Sequence, residues 1–176
     1  MTDLPLHFEA SATIVGSAES IFAIADEPDL VTRHMRQPSL MMGGGSMQCE
    51  LDALAGKAVG SVIRLTGKGF GFGITLEEFV EERTPPLRKV WATIGTPRLV
   101  VIRDYRMGFE IAEVVKSCQL RVWIDYALPR SGVRHWLGRL LAPTFARWCV
   151  ENMLHEVQSI HIAPIIDARK EQSAGH

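Results

Sequence analysis

A chain of 176 residues, 47% hydrophobic and 22% charged, has the size and composition of one globular domain and not of a disordered segment. Its net charge of −1, from 19 basic and 20 acidic residues, provides no global positive field to recruit nucleic acid or an anionic membrane. Cys49, Cys118 and Cys149 form no CxxC pair, the opening MTDLPLHFEAS is not patterned as a signal peptide, and no apolar run approaches the roughly 20 residues that span a bilayer. These features lead us to expect a single-domain cytoplasmic protein with reduced thiols and no transmembrane segment.

The first strand is expected over 8–15, where Phe8, Ala10, Ala12 and Ile14 share one face. Gly16 ends it, and Ser17 is a candidate N-cap for a short helix carrying Ile21, Phe22 and Ala25. A second short helix is expected from about Asp29 to His34, and Pro38 with Gly43-Gly44-Gly45 marks a flexible connection. Strands follow over 47–51, 61–67, 74–83, 87–95 and 99–111, with a turn at Pro85-Pro86. Over 116–129 the alternation is clean: Cys118, Leu120, Val122, Ile124 and Tyr126 face one way, and Gln119, Arg121, Trp123 and Asp125 the other. One polar and one apolar face is the pattern of an antiparallel sheet wetted on one side.

From Ser131 to about Ile160 the period becomes helical. Val133, Trp136, Leu137, Leu140 and Leu141 start an apolar stripe that Phe145, Cys149, Val150, Met153 and Val157 continue. Pro143 lies within it and predicts a kink or break. The segment after Pro164 ends polar and is expected to fray. We therefore expect one domain over 1–163 and a polar tail over 164–176. The fold class is α+β: a curved antiparallel sheet wrapped around a long C-terminal helix, with two short helices after the first strand. Between sheet and helix such a fold leaves space for a small molecule, typically about 300–1,000 Å³.

Several segments resemble the START/Bet v 1-like helix-grip fold of the SRPBCC superfamily, of the polyketide cyclase/dehydrase and lipid-transport type. FEASATIVGSAESIFAIADEPDL (8–30) is similar to its first strand, small-residue turn and helix ending in Asp-x-Pro. GSVIRLTG (60–67), EEFVEERTPPLRKVW (77–91) and LGRLLAPTFARWCVENMLHEV (137–157) resemble its glycine-led strand, its acidic strand with Pro-Pro turn, and its closing helix. His34-Met35 stands where Trp is frequent, and Lys116-Ser117 where a Gly-Thr turn is frequent. The resemblance spans about residues 8–160 and implies a hydrophobic ligand: a lipid, polyketide, isoprenoid or aromatic compound.

Other motifs carry less. GKGFGFG (67–73) looks like a kinase glycine-rich loop, but no VAIK, HRD or DFG accompanies it, so it reads as a glycine-rich hairpin. His155 and His161 face different ways, His34 and His135 are isolated, and neither HExxH nor CxxC occurs, so no metal and no cofactor is expected. No GxSxG elbow supports a nucleophile, and Cys149 reads as a small buried hydrophobe. Glu77, Glu78, Glu81 and Glu82 read as a solvated acidic face.

Arg103 and Tyr105 are the candidate catalytic residues. Alternation over 99–111 puts both on one face with Met107, so an inward Arg103 would meet a carboxylate or an anionic ligand and Tyr105 could donate to a ligand carbonyl. The competing reading, which weighs more, puts Arg103 at the rim with Asp125 or Glu110. The expected ligand-binding residues are Ile63, Leu65, Trp91, Arg103, Tyr105, Met107, Leu120, Val122, Tyr126, Phe145, Cys149 and Met153. The leading function is binding of a hydrophobic or amphipathic small molecule. One alternative is a polyketide aromatase/cyclase or dehydratase using cavity Tyr and Arg. The other is a partner-binding or peripheral membrane accessory protein, which requires an exposed apolar patch beside the basic helix carrying Arg130, Arg134, Arg139 and Arg147.

Overall fold

The computed structural model describes residues 3–174, with side chains except those of Leu30, Val31, His34, Met41 and 162–174. The His34 reading therefore lies outside the described residues. Seven strands form one antiparallel sheet: β1 (Leu6–Ile14), β2 (Met47–Leu51), β3 (Val62–Gly69), β4 (Phe72–Thr84), β5 (Arg88–Arg98), β6 (Tyr105–Val114) and β7 (Ser117–Tyr126). Their spatial order is β1-β7-β6-β5-β4-β3-β2, so every sequential pair from β2 to β7 is a neighbour and only β1 crosses to the far edge. The inward residues of β1 sit opposite those of β7, with Phe8 facing Ile124 and Ala10 facing Val122.

Three short helices, α1 (Ala18–Ala25), α2 (Pro28–Val31) and α3 (Arg33–Arg36), and a single 3-10 turn at Leu40–Met42 separate β1 from β2. Ser17 caps α1 by accepting from the Ser20 amide at 3.3 Å, and Ala18, Ile21, Phe22 and Ala25 are buried. The β3–β4 hairpin turns through Phe70 and Gly71, both at positive φ, as a two-residue primed turn demands. Lys116, at the position where glycine is frequent in the similar family, also has positive φ (60°). Helix α4 (Gly132–Ala174) lies across the sheet and buries Ala142, Ala146, Cys149, Val150, Met153 and Val157.

Four expectations are corrected. The strand expected from residue 99 begins only at Tyr105. Val100, Val101 and Ile102 are all buried, which a strand with one wet face cannot do, and they form an irregular segment. That segment is tied down by Arg103 N–H to the Ala127 carbonyl (2.7 Å) and Ala127 N–H to that of Asp104 (2.9 Å). Helix α4 is not broken at Pro143, which is exposed; the Arg139 carbonyl it leaves unbonded therefore lies on the water side. The helix, expected to end at about Ile160, also runs on to Ala174. Finally, Val133, Trp136 and Leu140 do not join the core stripe: they are exposed, while Leu137 and Leu141 turn inward beside them.

Candidate functional site

A cavity of about 70 Å³ lies between the concave face of the sheet, α1–α3 and α4. It is much narrower than the space expected from the fold class, because large side chains from both layers meet across it. Ile63 and Leu65 reach it from β3, Leu76 from β4, Trp91 from β5, Tyr105 and Met107 from β6. Phe145, Cys149 and Met153 close it from α4, and Pro28, Thr32 and Met35 form the wall of short helices. Eight of the expected ligand-binding residues thus surround one space.

The remaining four lie elsewhere. Leu120, Val122 and Tyr126 are buried in the core, and Ile124 supplies the cavity contact from β7 instead. Arg103 does not share a face with Tyr105, because it precedes β6. Its guanidinium pairs with Asp104 and lines a surface depression with Leu6, Arg130 and His135. The expected partners Asp125 and Glu110 are engaged by His7 and by Arg88 and Arg121.

Two charged residues reach the cavity that sequence reasoning does not place there. Glu78 is 5% exposed and Lys89 is 4% exposed. The expectation of a solvated acidic face is corrected at Glu78. The strand period gives its true side: Glu78 has the parity of Ile74, Leu76 and Val80, all buried, while Glu77 points out. Lys89 similarly shares parity with Trp91.

The Tyr105 hydroxyl donates to Glu78 Oε1. The Tyr105 backbone is fixed by Thr93, whose hydroxyl donates to the Tyr105 carbonyl at 3.3 Å and accepts from its amide at 3.2 Å. Burial raises the Glu78 pKa to about 7, against the smaller lowering effects of the Tyr105 hydrogen bond and the Lys89 charge. Burial and then the adjacent carboxylate raise the Tyr105 phenol well above its usual range, so it is a donor at neutral pH. Burial lowers the Lys89 pKa, opposed by Asp26. Lys89 Nζ donates to Asp26 Oδ1 at 2.7 Å, and Arg83 Nη2 donates to Asp26 Oδ2 at 2.8 Å. Asp26 caps the C-terminal end of α1, so this group ties the helix to β4 and β5. Burial also pushes the Cys149 thiol up, which keeps it an unreactive thiol.

Among the described residues, no group of three or more His, Cys, Asp and Glu side chains is placed to hold a metal ion. No helix among them is long and apolar enough to cross a membrane.

No protein-family model matches the chain, and no curated protein matches it in sequence. Solved structures do match. The Zhui aromatase/cyclase from Streptomyces sp. R1128 superposes with a TM-score of 0.68 at 13% identity, over 91% of this chain and 95% of that one. A protein from Thermus thermophilus gives 0.66 at 14% identity, over 90% and 99%. Norcoclaurine synthase from Thalictrum flavum, in complex with dopamine and hydroxybenzaldehyde, gives 0.60 at 16% identity, over 88% and 85%. With identities this low the likeness is one of fold. The chain has the START/Bet v 1-type helix-grip fold.

Proposed function

We propose that this protein binds an amphipathic small molecule, of the hydroxylated aromatic or polyketide-like class, in the cavity between sheet and α4. The observation that carries the reading is the Glu78–Tyr105 pair set into an otherwise apolar lining. A purely structural core would place no carboxylate there, because burying one costs stability that an apolar residue would not. A ligand with a flat apolar body and a hydroxyl or carbonyl satisfies both parts of the lining. The aromatase/cyclase and the complex with dopamine and hydroxybenzaldehyde support this ligand class.

A cavity of about 70 Å³ is too small for such a ligand without movement of one wall. The wall able to move is α2 and α3, two four-residue helices, since the other walls are a continuous sheet and a long helix. Native mass spectrometry of the purified protein, followed by organic extraction, tests the reading. A retained amphipathic compound, lost when Leu65→Trp fills the cavity, supports it. An empty protein that also fails to bind apolar fluorescent probes overturns it.

A second reading, catalysis, rests on the near-neutral Glu78. A carboxyl group near pKa 7 can accept or return a proton at working pH while Tyr105 or Lys89 donates to a ligand carbonyl. Exchange of deuterium from heavy water into the carbon next to a bound ketone, followed by NMR, tests it. Glu78→Gln abolishes the exchange and leaves binding intact if Glu78 is the base.

A further inference from the structure

We propose that the first two turns of α4 are a docking surface for an anionic phospholipid bilayer. Val133, Trp136 and Leu140, at the i, i+3, i+7 spacing of one helix face, are 70%, 71% and 74% exposed. They are not a core face awaiting burial. Leu137 and Leu141 already pack inward on the adjacent face, and Gly138 lies so close to the Leu99–Ile102 segment that a Cβ there would come within 2.7 Å of the Val101 carbonyl oxygen. The helix is therefore held in the orientation that presents Trp136 to the outside.

Charge selects the occupant. Arg139 lies against the apolar patch, Arg130 and Arg134 stand within a few residues of it along the chain, and residues 126–150 contain no acid. Among the described residues, no carboxylate lies within ion-pair distance of any of the three arginines. Five of the six arginines in the strands, Arg64, Arg83, Arg88, Arg106 and Arg121, are paired with carboxylates, the exception being Arg98 at the end of β5. Arg139 stacks on Trp136 at 5.9 Å, and Arg134 on Phe72 at 5.2 Å, which joins the tip of the β3–β4 hairpin to the patch. Exposed Trp and Leu beside long cationic side chains suit the headgroup region, where indole and aliphatic groups sink and guanidinium groups meet phosphate. Three protruding side chains fall short of the roughly 800 Å² per partner of a stable protein interface, whereas a lipid surface needs no matched shape.

The test is co-sedimentation of the full chain with vesicles of phosphatidylcholine and phosphatidylserine in about a 7:3 ratio, beside pure phosphatidylcholine vesicles, at low and high salt. Binding to the anionic vesicles that weakens with salt is expected. Replacing all three arginines by Glu should weaken it at least about a hundredfold, at about fivefold for each lost cation. Trp136→Ser with Leu140→Ser should weaken it about tenfold or more. Trp136→Ser with Leu140→Ser changes only exposed positions and should keep the wild-type unfolding midpoint and cavity binding, so this result is separable from the ligand reading. Arg134 is half-buried against Phe72, so the arginine variant is compared only after its unfolding midpoint is matched to wild type. The proposal is overturned if the wild-type protein stays in the supernatant with anionic vesicles, or if both variants sediment as it does. It is overturned equally if sedimentation velocity shows a dimer that Trp136→Ser with Leu140→Ser dissociates, for then the patch is covered by a second copy.

Discussion

Glu77 and Glu78 are adjacent on one strand and lie in two different media. Glu77 points to the outer face of the sheet, where Arg64 donates to its Oε1 at 2.6 and 3.0 Å. Around it the outer face carries a mesh of similar pairs: Arg106 with Glu81 at 2.5 Å, Arg88 with Glu82 at 3.0 Å, and Arg121 with both Glu9 and Glu110. Such exposed pairs contribute about 0–1 kcal/mol each. Glu78 points inward, bonds to Tyr105 and titrates near neutrality. One step along a strand therefore converts a nearly neutral surface charge into one that costs stability, and charges that cost stability inside a cavity are candidates for function.

The largest effect should come from the group that compensates the interior cations. Asp26→Ala leaves Lys89 buried with its carboxylate gone and also frees Arg83. A loss of about 3–5 kcal/mol is expected in urea unfolding, because breaking a buried pair strands the surviving charge. A loss below about 1 kcal/mol would mean that the inner face tolerates charge as the outer face does, and the contrast between them would fail.

Glu78→Gln comes next and has the opposite sign. The folded-state pKa of Glu78, about 7, lies above its unfolded value. The folded protein therefore holds the extra proton between the unfolded value near 4.3 and about 7. The associated stability is fully present below about pH 4.3 and is lost as pH rises to 7, about 3–4 kcal/mol in all. The variant should be more stable than wild type at pH 8 by up to that amount, with little advantage at pH 4.5. His7, whose pKa is raised chiefly by its hydrogen bond to Asp125, also loses stability as pH rises, but it does so in both proteins. The difference between the two unfolding curves thus isolates Glu78.

Much of this architecture is legible in the sequence, and the failures share a cause. The Ser17 cap and the inward face of β7 are local patterns and stand in the structure as read, although Trp123 on the outer face of β7 is buried. The helical period after Ser131 gives α4 but not which of its apolar residues are covered. Glu78 is misplaced when its charge is weighed above its parity, although Ile74, Leu76 and Val80 give the inward phase. Arg103 falls on a strand because VVIRDYR alternates on paper; whether Val100, Val101 and Ile102 are all buried is decided by what covers them. Trp136 and Leu140 extend the apolar stripe of α4 in the sequence, but the adjacent helix face, with Leu137, Gly138 and Leu141, is the one that packs inward. Cavity size is out of reach altogether, since it depends on how far apart two layers sit, which no periodicity records.

Tyr105→Phe tests the inner face at intermediate scale. Removing the hydroxyl leaves Glu78 Oε1 without its donor, which costs about 1–2 kcal/mol when the carboxylate is charged. The loss should be larger at pH 8 than at pH 5, because the phenol helps hold the Glu78 pKa down and its removal moves that pKa further above 7. Carbonyl-region infrared or NMR titration of the Glu78 carboxyl reads the shift directly. An unchanged pKa would mean that the tyrosine is packing against Glu78 without bonding to it.

The smallest effect is the counterpart on the outer face. Glu77→Gln removes the carboxylate that Arg64 holds, and both partners stay solvated, Arg64 at 54% side-chain exposure and Glu77 at 38%. A loss under about 1 kcal/mol is expected at pH 7, shrinking further in high salt as screening replaces the partner. Pairing this variant with Arg64→Gln in a double-mutant cycle should give a coupling below about 0.5 kcal/mol. The same cycle on Asp26 and Lys89 should give several times more, because there solvent cannot stand in for the missing partner. If the two couplings came out alike, position in the strand would not be setting the energy of these charges, and Glu78 would lose its claim to be more than another residue of an acidic strand.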